Sequence, residues 1–446
     1  MSVKIYDVIG IGVGPFNLSL ACLVEPIKHL DTVFFDKAPG FDWHPGMMLE
    51  GSHLQTPFMS DLVTLADPTS PYSFLNFLKE QGRLYSFYIR ENFFILRKEY
   101  NDYCQWATKR LNNLQFNSEV VSIDHYRDSG SKDEKDEKDV YQVTVKDTLT
   151  EKLSVHFARR LVIGTGPVSS LPLCCEDDAT LLEQHSSRYL SNKAALQKQS
   201  AITVLGSGQS AAEIVYDLLQ DIDQFNYTLS WITRSPRYFP LEYTKLTLEM
   251  TSPEYVDYFY GLSNSRRQQL IDEQKNLYKG INSELINDIY DLLYAKKLNA
   301  NIDVNLQTNA ALHDIKRLAQ GRGFALSLYN EESEESYTHT TKGLVFATGY
   351  QHKVPGFLQN IASAIRWDDQ HGTFNAHRNY TIDHQQSCIF VQNAEINTHG
   401  FVTPDLGMAC YRNAHIIKSL LGEAYYPIES RIAFQTFGAP KPQDKH

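Results

Sequence analysis

Six cysteines are few for 446 residues, and none of Cys22, Cys104, Cys174, Cys175, Cys388 and Cys410 stands in a CxxC pair. That absence argues against a dithiol-shuttling enzyme and against a disulfide-stapled secreted domain. It predicts reduced packing thiols in a cytoplasmic protein, the adjacent Cys174 and Cys175 included. No apolar run approaches the ~18 residues that a membrane helix needs, so no span is expected. The opening MSVKIYDVIGIGVG has no apolar stretch ahead of a small-residue cleavage site, so no secretory signal is expected either. Basic residues are outnumbered: 42 Lys and Arg against 53 Asp and Glu give a net charge of −11. A general nucleic-acid binder needs a basic face to neutralise phosphates, and this balance excludes that class. No convincing Ser-His-Asp triad or metal-ligand cluster is present.

What the chain does contain is a duplicated pattern. YDVIGIGVGPFNLSLACLV reads as a short apolar strand, a glycine turn and a helix, and DTVFFDK as a second buried strand ending in an acid. QSAITVLGSGQSAAEIVYDLL repeats the arrangement, followed by the strand YTLSWITRS. Two such units in a chain too long for one core predict an α/β protein with two doubly wound, Rossmann-like dinucleotide-binding domains. YQVTVKD and LSVHFARRLVIGTG alternate as a small antiparallel meander, with the charged RDSGSKDEKDEKD as its tip. FALSLYN and GLVFATGY suggest a second meander around the polar EESEESYTHTTK. Residues 253–297 have helical periodicity, and PDLGMACYRNAHIIKSLLG is a helix with a glycine stop. The predicted layout is an insertion: residues 1–198 form the first nucleotide domain, 199–344 the second, and 345–446 return to the first.

In GIGVGP, Gly10 and Gly12 sit where a tight turn lets backbone approach a pyrophosphate at a helix N-terminus; Gly14 precedes Pro15. Proline in a first helical turn is tolerated because its missing N–H would be unpaired there. Asp36 closes the next strand and can accept from a ribose hydroxyl. The second turn, GSGQSA, carries Gly206, Gly208, Ser210 and Ala211, and its following strand ends at Arg234 with Arg237 nearby. A guanidinium there suits a 2′-phosphate, which an acid would repel, so NADPH is expected rather than NADH. Two nucleotide folds with FATGY at the return describe a flavoprotein fed by a nicotinamide: a disulfide reductase, a monooxygenase or a quinone reductase.

These motifs, together with FDWHPGM, LQTPFMSDLV, FATGYQHKVP and the THG before PDLGMACYR, resemble the N-hydroxylating flavin monooxygenases of siderophore biosynthesis. Lysine N6- and ornithine N5-hydroxylases typify that family, and the motifs follow its order over nearly the whole chain. One departure is Lys342, where many members carry an acid. The resemblance implies FAD in the first fold, NADPH in the second, and oxygen transfer from a flavin C4a-hydroperoxide to a primary amine. It implies that Trp43, His44, Pro45 and Met47 line the flavin, with Gln55 near the reacting oxygen and His399 near the flavin end of the C-terminal helix. His44, Gln55 and His399 are the candidate catalytic residues. Ala347, Thr348, Gly349 and Tyr350 of FATGY, with Pro404 and Leu406, complete the cofactor-lining set. For Trp43 and Met47 the other reading is core packing, which can coexist with flavin contact, and for both histidines a structural role is an equal reading. Relatives often assemble as tetramers, so a homo-oligomer is expected.

In the lysine and ornithine hydroxylases the segment FMSDL typically reads FLKDL, and its lysine holds the substrate carboxylate. Here that position is Ser60. Leaving a buried carboxylate without its cation costs about 3–5 kcal/mol. An amine without a carboxylate, of the putrescine or cadaverine type, is therefore the expected substrate beside O2. Leu248, near where ornithine-using members place an asparagine, and Gly407, where others have serine, fit the same loss of polar contacts. The second ammonium of a diamine needs an acid, with Asp405 considered first and Glu249 second. An amino-acid hydroxylase using another cation such as Lys245, a histamine hydroxylase, an uncoupled NADPH oxidase and a non-catalytic nucleotide-binding module remain the alternatives.

Overall fold

Ile5–Ile11 grows progressively more buried along its length and forms the central strand of a parallel core. Thr32–Phe35 pairs with it on one side and Leu153–Ile163 on the other, both parallel. Leu114–Gln115 and Ile389–Val391 extend the core at its two edges. Leu153–Ile163 belongs to two structures at once. Its first half pairs antiparallel with Val140–Asp147, which pairs in turn with Ser118–Tyr126, while its last residues pair with Ile389–Val391. The computed structural model describes residues 4–126, 140–299, 301–321, 323–368 and 372–439. The charged stretch expected at the meander tip lies outside the described residues.

The second sheet has four parallel strands in the order Val304–Gln307, Thr228–Ile232, Ala201–Leu205, Gly343–Phe346. Beside it stands an antiparallel meander of Ala310–Arg317, Phe324–Asn330 and Glu335–Thr341. The polar ESYTHTT thus forms a strand, and GLVF belongs to the parallel sheet instead. From Tyr337 onward ESYTHTT alternates half-buried and exposed positions and ends at the buried Thr341, so one face can be solvated without breaking the ladder. GLVF is buried at every position although it ends the four-stranded order, as a strand covered on both faces must be.

The expected helical region after residue 252 divides into Pro253–Tyr260, Asn264–Glu273 and Ser283–Asn299. Ser263 stops it from continuing as one helix, because its side chain accepts from a first-turn N–H of the second helix, as Ser252 does at the start of the first. The chain passes out of the first sheet and returns to it through a two-stranded ribbon, Val168–Ser169 against Tyr350–Gln351. The C-terminal helix Ala409–Leu421 ends at Gly422 in the left-handed region and packs on the first helix, where Asn413 donates to the Phe16 carbonyl and to Ser19 Oγ. No helix among the described residues is long and apolar enough to cross a membrane.

Candidate active site

Both glycine turns are built for close backbone approach. Gly12 has a φ of 88°, and a β-carbon there would stand 2.4 Å from the Gly164 carbonyl oxygen. Gly206 has a φ of 145° and would strike the Ala347 carbonyl at 2.1 Å. Only glycine fits either position. Pro15 opens the helix Pro15–Val24, and Gly208 precedes the helix Gln209–Phe225. Neither helix has a side-chain cap bond, so first-turn N–H groups are available to a phosphate. Gly14 opens onto free space. These features fit a dinucleotide at each turn.

Asp36 braces the first turn as well as facing it. Its Oδ2 accepts from the Val13 N–H at 2.6 Å and its Oδ1 from the Ala38 N–H at 2.8 Å. Beyond the carboxyl ends of the neighbouring strands lies an open cavity of about 130 Å³, lined by Thr165, His352, Lys353 and Gln392 among others. Ligands in doubly wound sheets bind in this position. At the second turn Arg234 is exposed. Lys279, whose carbonyl lies 3.8 Å from a β-carbon built on Gly208, is held below its ordinary pKa by burial and by the charges of Lys275 and Arg234. Cations gathered at a dinucleotide turn suit a phosphate-rich cofactor. Lys279 was not anticipated from the sequence; a lysine before a glycine facing the second turn is the signal that could have found it.

The WHPGM and FATGY motifs meet in space. His44 adopts left-handed backbone, with its ring 4.9 Å from Trp43 and 5.7 Å from Tyr350. Although solvent reaches His44, protein atoms crowd its ring. Burial, then the charge of Arg97, lowers its pKa to about 4, so the imidazole is neutral at physiological pH. Trp43 packs edge-on to Tyr100 at 5.1 Å, and its backbone N–H donates to Asn101 Oδ1. The FATGY residues tie the crossing ribbon: Thr348 donates to the Ser170 carbonyl, and the Gly349 carbonyl accepts from Ser170 and meets His185 Nε2 at 2.9 Å. Ala347 is buried, and Ser210 lies half-buried in the first turn of its helix.

Gln55, on strand His53–Pro57, reaches the second fold: its Nε2 lies 3.3 Å from Gln209 Oε1 and 3.5 Å from the Gly280 carbonyl. Gln209 Nε2 donates to Glu213 Oε1 at 2.9 Å. Glu213 in turn is held by a two-pronged pair with Arg97 at 2.7 and 2.9 Å, at side-chain exposures of 7% and 12%. This buried bridge joins the two nucleotide folds.

Ser60, Asp405 and Gly407 converge. Ser60 is 8% exposed. A β-carbon on Gly407 would lie 3.2 Å from Ser60 Oγ and 3.1 Å from Asp405 Oδ1. The next residue, Asp61, fixes the segment by accepting from the N–H groups of Val63, Thr64 and Phe74 and from the Thr64 hydroxyl. Asp405 caps the turn Leu406–Met408, with Oδ1 accepting from the Gly407 N–H at 2.7 Å. Burial raises its pKa, against the Gly407 hydrogen bond and the charge of Arg412. Among the described residues no lysine or arginine bonds to Ser60, Asp405 or Gly407. Arg412 itself pairs with Glu395 at 2.9 Å and donates to the Thr403 carbonyl at 2.6 Å. Tyr243, whose pKa is raised by burial and by Asp405, stands over Phe94 at 5.7 Å; it too was not anticipated. Leu248 ends the helix Lys245–Leu248 half-buried, Lys245 is exposed, and Pro404 and Leu406 flank Asp405.

Three expected roles do not fit. Glu249 does not face a substrate: its carboxylate accepts from the N–H groups of Phe434 and Gln435 and from Gln435 Nε2. Met47 is 3% exposed inside the second fold's core, beside Ile202 and Ala211, and has no face for a flavin. His399 is 1% exposed and stacked on Tyr380 at 4.4 Å, with its ring nitrogens against Thr398 Oγ1 and the Arg378 carbonyl. Burial holds it neutral. It is a structural histidine, closed to reacting atoms. Cys174 and Cys175 are free thiols, 3.7 Å apart, and the Cys174 thiol donates to the Leu312 carbonyl. Among the described residues no group of three or more His, Cys, Asp or Glu is placed to hold a metal ion.

The chain is similar to known N-hydroxylating enzymes. A putrescine N-hydroxylase from Shewanella oneidensis is 55% identical over 434 residues, 97% of this chain and 84% of the relative. The FAD-bound cadaverine monooxygenase of the desferrioxamine pathway from Erwinia amylovora superposes with a TM-score of 0.93 at 56% identity, covering 98% of this chain and 99% of that one. An ornithine N-hydroxylase from Kutzneria sp. 744, solved with reduced FAD, NADP+ and L-ornithine, superposes at 0.84 with 30% identity over 94% of this chain and 99% of the other. Residues 4–352 match the model of the L-lysine 6-monooxygenase/L-ornithine 5-monooxygenase family, and the chain belongs to that family.

Proposed function

We propose that the chain N-hydroxylates a small aliphatic diamine of the putrescine or cadaverine type, as a step toward a hydroxamate siderophore. It is a flavin-dependent N-monooxygenase that works with FAD and NADPH. The observation carrying the choice of substrate is the convergence of the buried Ser60 and of Gly407, both small and uncharged, beside the half-buried Asp405. A carboxylate in that position would meet an acid and no free cation, at a cost of several kcal/mol, about 3–5 for a broken buried pair. A second ammonium would meet Asp405, whose Oδ2 has no hydrogen-bond partner among the described residues. The relatives' own substrates, putrescine for one and cadaverine for the other, point the same way.

Roles follow for this chain's own residues. The turn of Gly10, Gly12, Gly14 and Pro15, with Asp36, holds the FAD diphosphate and ribose; Gly206, Gly208, Ser210 and Arg234 hold NADPH. Trp43, His44 and the FATGY segment wall the flavin end and exclude water from it. Gln55 orients groups at the reaction centre, Asp405 anchors the far ammonium, and Ser60, Leu248 and Gly407 form the neutral wall. FAD, when bound, supplies hydride acceptance from NADPH and activation of O2. Residues 1–198 and 345–446 make the FAD domain and 199–344 the NADPH domain. The enzyme works in the cytoplasm as a homotetramer, which light scattering on the purified protein tests. The substrate reading is tested with lysine, ornithine, cadaverine, putrescine and histamine, scoring hydroxylamine formed per NADPH consumed. Highest yield with the diamines is expected; a preference for a free amino acid or for histamine overturns it, and peroxide alone makes the chain an oxidase.

A further inference from the structure

The polarity of an amide side chain can be deduced when its partners are unambiguous. Gln209 is such a case. The backbone N–H of Asn282 can only donate, and it lies 2.8 Å from one amide atom of Gln209, which must therefore be Oε1. Glu213, paired with Arg97, can only accept, and it lies 2.9 Å from the other atom, which must be Nε2. The Gln209 amide is locked from both sides.

That lock passes to Gln55. Gln209 Oε1 faces the Gln55 amide at 3.3 Å, and the Gly280 carbonyl faces the same Gln55 atom at 3.5 Å. Both neighbours are acceptors, so the atom they share must be the Gln55 NH2. Its two N–H groups point at the second fold. The remaining capacity of the side chain is Oε1, which takes no hydrogen bond among the described residues.

We infer that Gln209 is a positioning residue that fixes Gln55 as a hydrogen-bond acceptor, with its carbonyl oxygen turned to an N–H donor at the reaction centre. The inference rests on the placement of Gln55 there proposed above. Its physical logic is that an amide free to rotate could offer either end, and a donor end would not serve an N–H group. Gln209 opens the helix that follows the second glycine turn, so the fold proposed for NADPH dictates which end Gln55 shows. Arg97 and Glu213 hold the device rigid as a buried two-pronged pair. The donor is the N–H of the neutral amine or an N–H of the reduced flavin, and the two sources have different signatures.

The test is a double-mutant cycle on the FAD-loaded enzyme with Gln55→Leu, Gln209→Leu and the double variant. Two quantities are read: hydroxylamine per NADPH with the preferred diamine, and the flavin midpoint potential without any amine. Gln209→Leu is expected to reproduce the Gln55→Leu loss, about five- to tenfold in coupling, and the double variant to be no worse than either single. An amine donor moves coupling and the diamine KM and leaves the potential alone; a flavin donor lowers the potential in all three variants. A merely structural Gln209 lowers the melting temperature without this non-additivity. Should Gln209→Leu fail to fold, Gln209→Asn, which keeps the amide but shortens its reach, enters the same cycle. Losses that multiply in the double variant, or wild-type coupling and potential in the Gln209 variant, overturn the inference. Absence of hydroxylamine from the wild type would instead strike the proposed function, and the potential still reads Gln209.

Discussion

A β-carbon placed on Gly407 would lie 3.2 Å from the Ser60 hydroxyl oxygen, although the two residues come from opposite ends of the chain. At that distance a neighbour must yield by a few tenths of an ångström before any side chain fits. Asp405 Oδ1, at 3.1 Å, closes the other side. Gly407→Ser is therefore expected to fill the space beside Asp405. The diamine kcat/KM should fall at least tenfold, with amine-free reduction of the flavin by NADPH unchanged. Steady-state and stopped-flow assays on one preparation check this; unchanged diamine kinetics would remove Gly407 from the pocket.

Asp405 carries a raised pKa because burial penalises its charge more than Gly407 and Arg412 relieve it. An ammonium beside it supplies the missing relief, so diamine binding and Asp405 ionisation should be coupled. Asp405→Asn keeps the shape and removes the charge. Its diamine KM is expected to rise about 10- to 100-fold, in line with a charge-assisted hydrogen bond of about 1.5–3 kcal/mol. A monoamine of equal length should barely respond. Equal effects on both amines would mean that Asp405 serves only to cap its turn.

The two nucleotide folds were legible because each motif is local: strand, glycine turn and helix follow one another, and their burial follows from hydrophobic pattern. Ser60 stands out in the sequence only through the resemblance, as a serine where the family typically has a lysine. What escaped depends on distant partners. Glu249 looks free in sequence and is claimed by Phe434 and Gln435, residues from near the chain's other end. Met47 lies in a flavin-like motif, yet the 3-10 turn Pro45–Met47 drives it into the neighbouring fold's core. The polar ESYTHTT reads as loop until its one-sided burial is seen. The Arg97–Glu213 pair spans 116 positions, and neither residue belongs to a motif that names the other.

Arg234 and Lys279 bring two cations to the second glycine turn, and the charge of Arg234 is among the causes that depress the Lys279 pKa. A 2′-phosphate would relieve that repulsion. Arg234→Ala is expected to raise the Kd for NADP+ about 10- to 100-fold, since hydrogen bonds to charged groups contribute about 1.5–3 kcal/mol. Affinity for NAD+ should stay nearly unchanged. Lys279→Met should act in the same direction. Calorimetric titration with both nucleotides reads the difference; equal losses for both would place the cations on the diphosphate instead.

His415 is held to a pKa of about 4, first by burial and then by the charges of Arg378 and Lys418 against Asp257. Its folded pKa lies below the unfolded value of about 6.5. Between those values the unfolded chain binds more protons, so this contribution is present above pH 6.5 and is lost as pH falls toward 4. At 1.36 kcal/mol per unit the whole effect is about 3 kcal/mol, an upper limit because the ring is only partly buried. His415→Gln cannot titrate. The wild type should lose more melting temperature than this variant between pH 7 and pH 4.5; parallel losses would show that His415 is not the group responsible.

Turnover should rise with pH for a reason that lies in the substrate. The reacting nitrogen must be unprotonated, and a primary amine of pKa near 10.4 costs about 3.3 kcal/mol to deprotonate at pH 8. Desolvation in the pocket reduces that cost by disfavouring the ammonium. His44, proposed to wall the flavin end, is the imidazole to which such a profile would be credited, but its pKa of about 4 leaves it neutral from pH 6 upward. Protonation of His44 can therefore affect only the acid side, below about pH 5. With chemistry limiting, kcat is expected to climb up to about pH 8–9 in the wild type, and His44→Gln should keep the same apparent pKa even if its rate is lower. A flat wild-type profile would show that proton loss from the amine does not limit the rate. A limb that vanishes in the His44 variant would make the imidazole the base, against the electrostatics of Arg97.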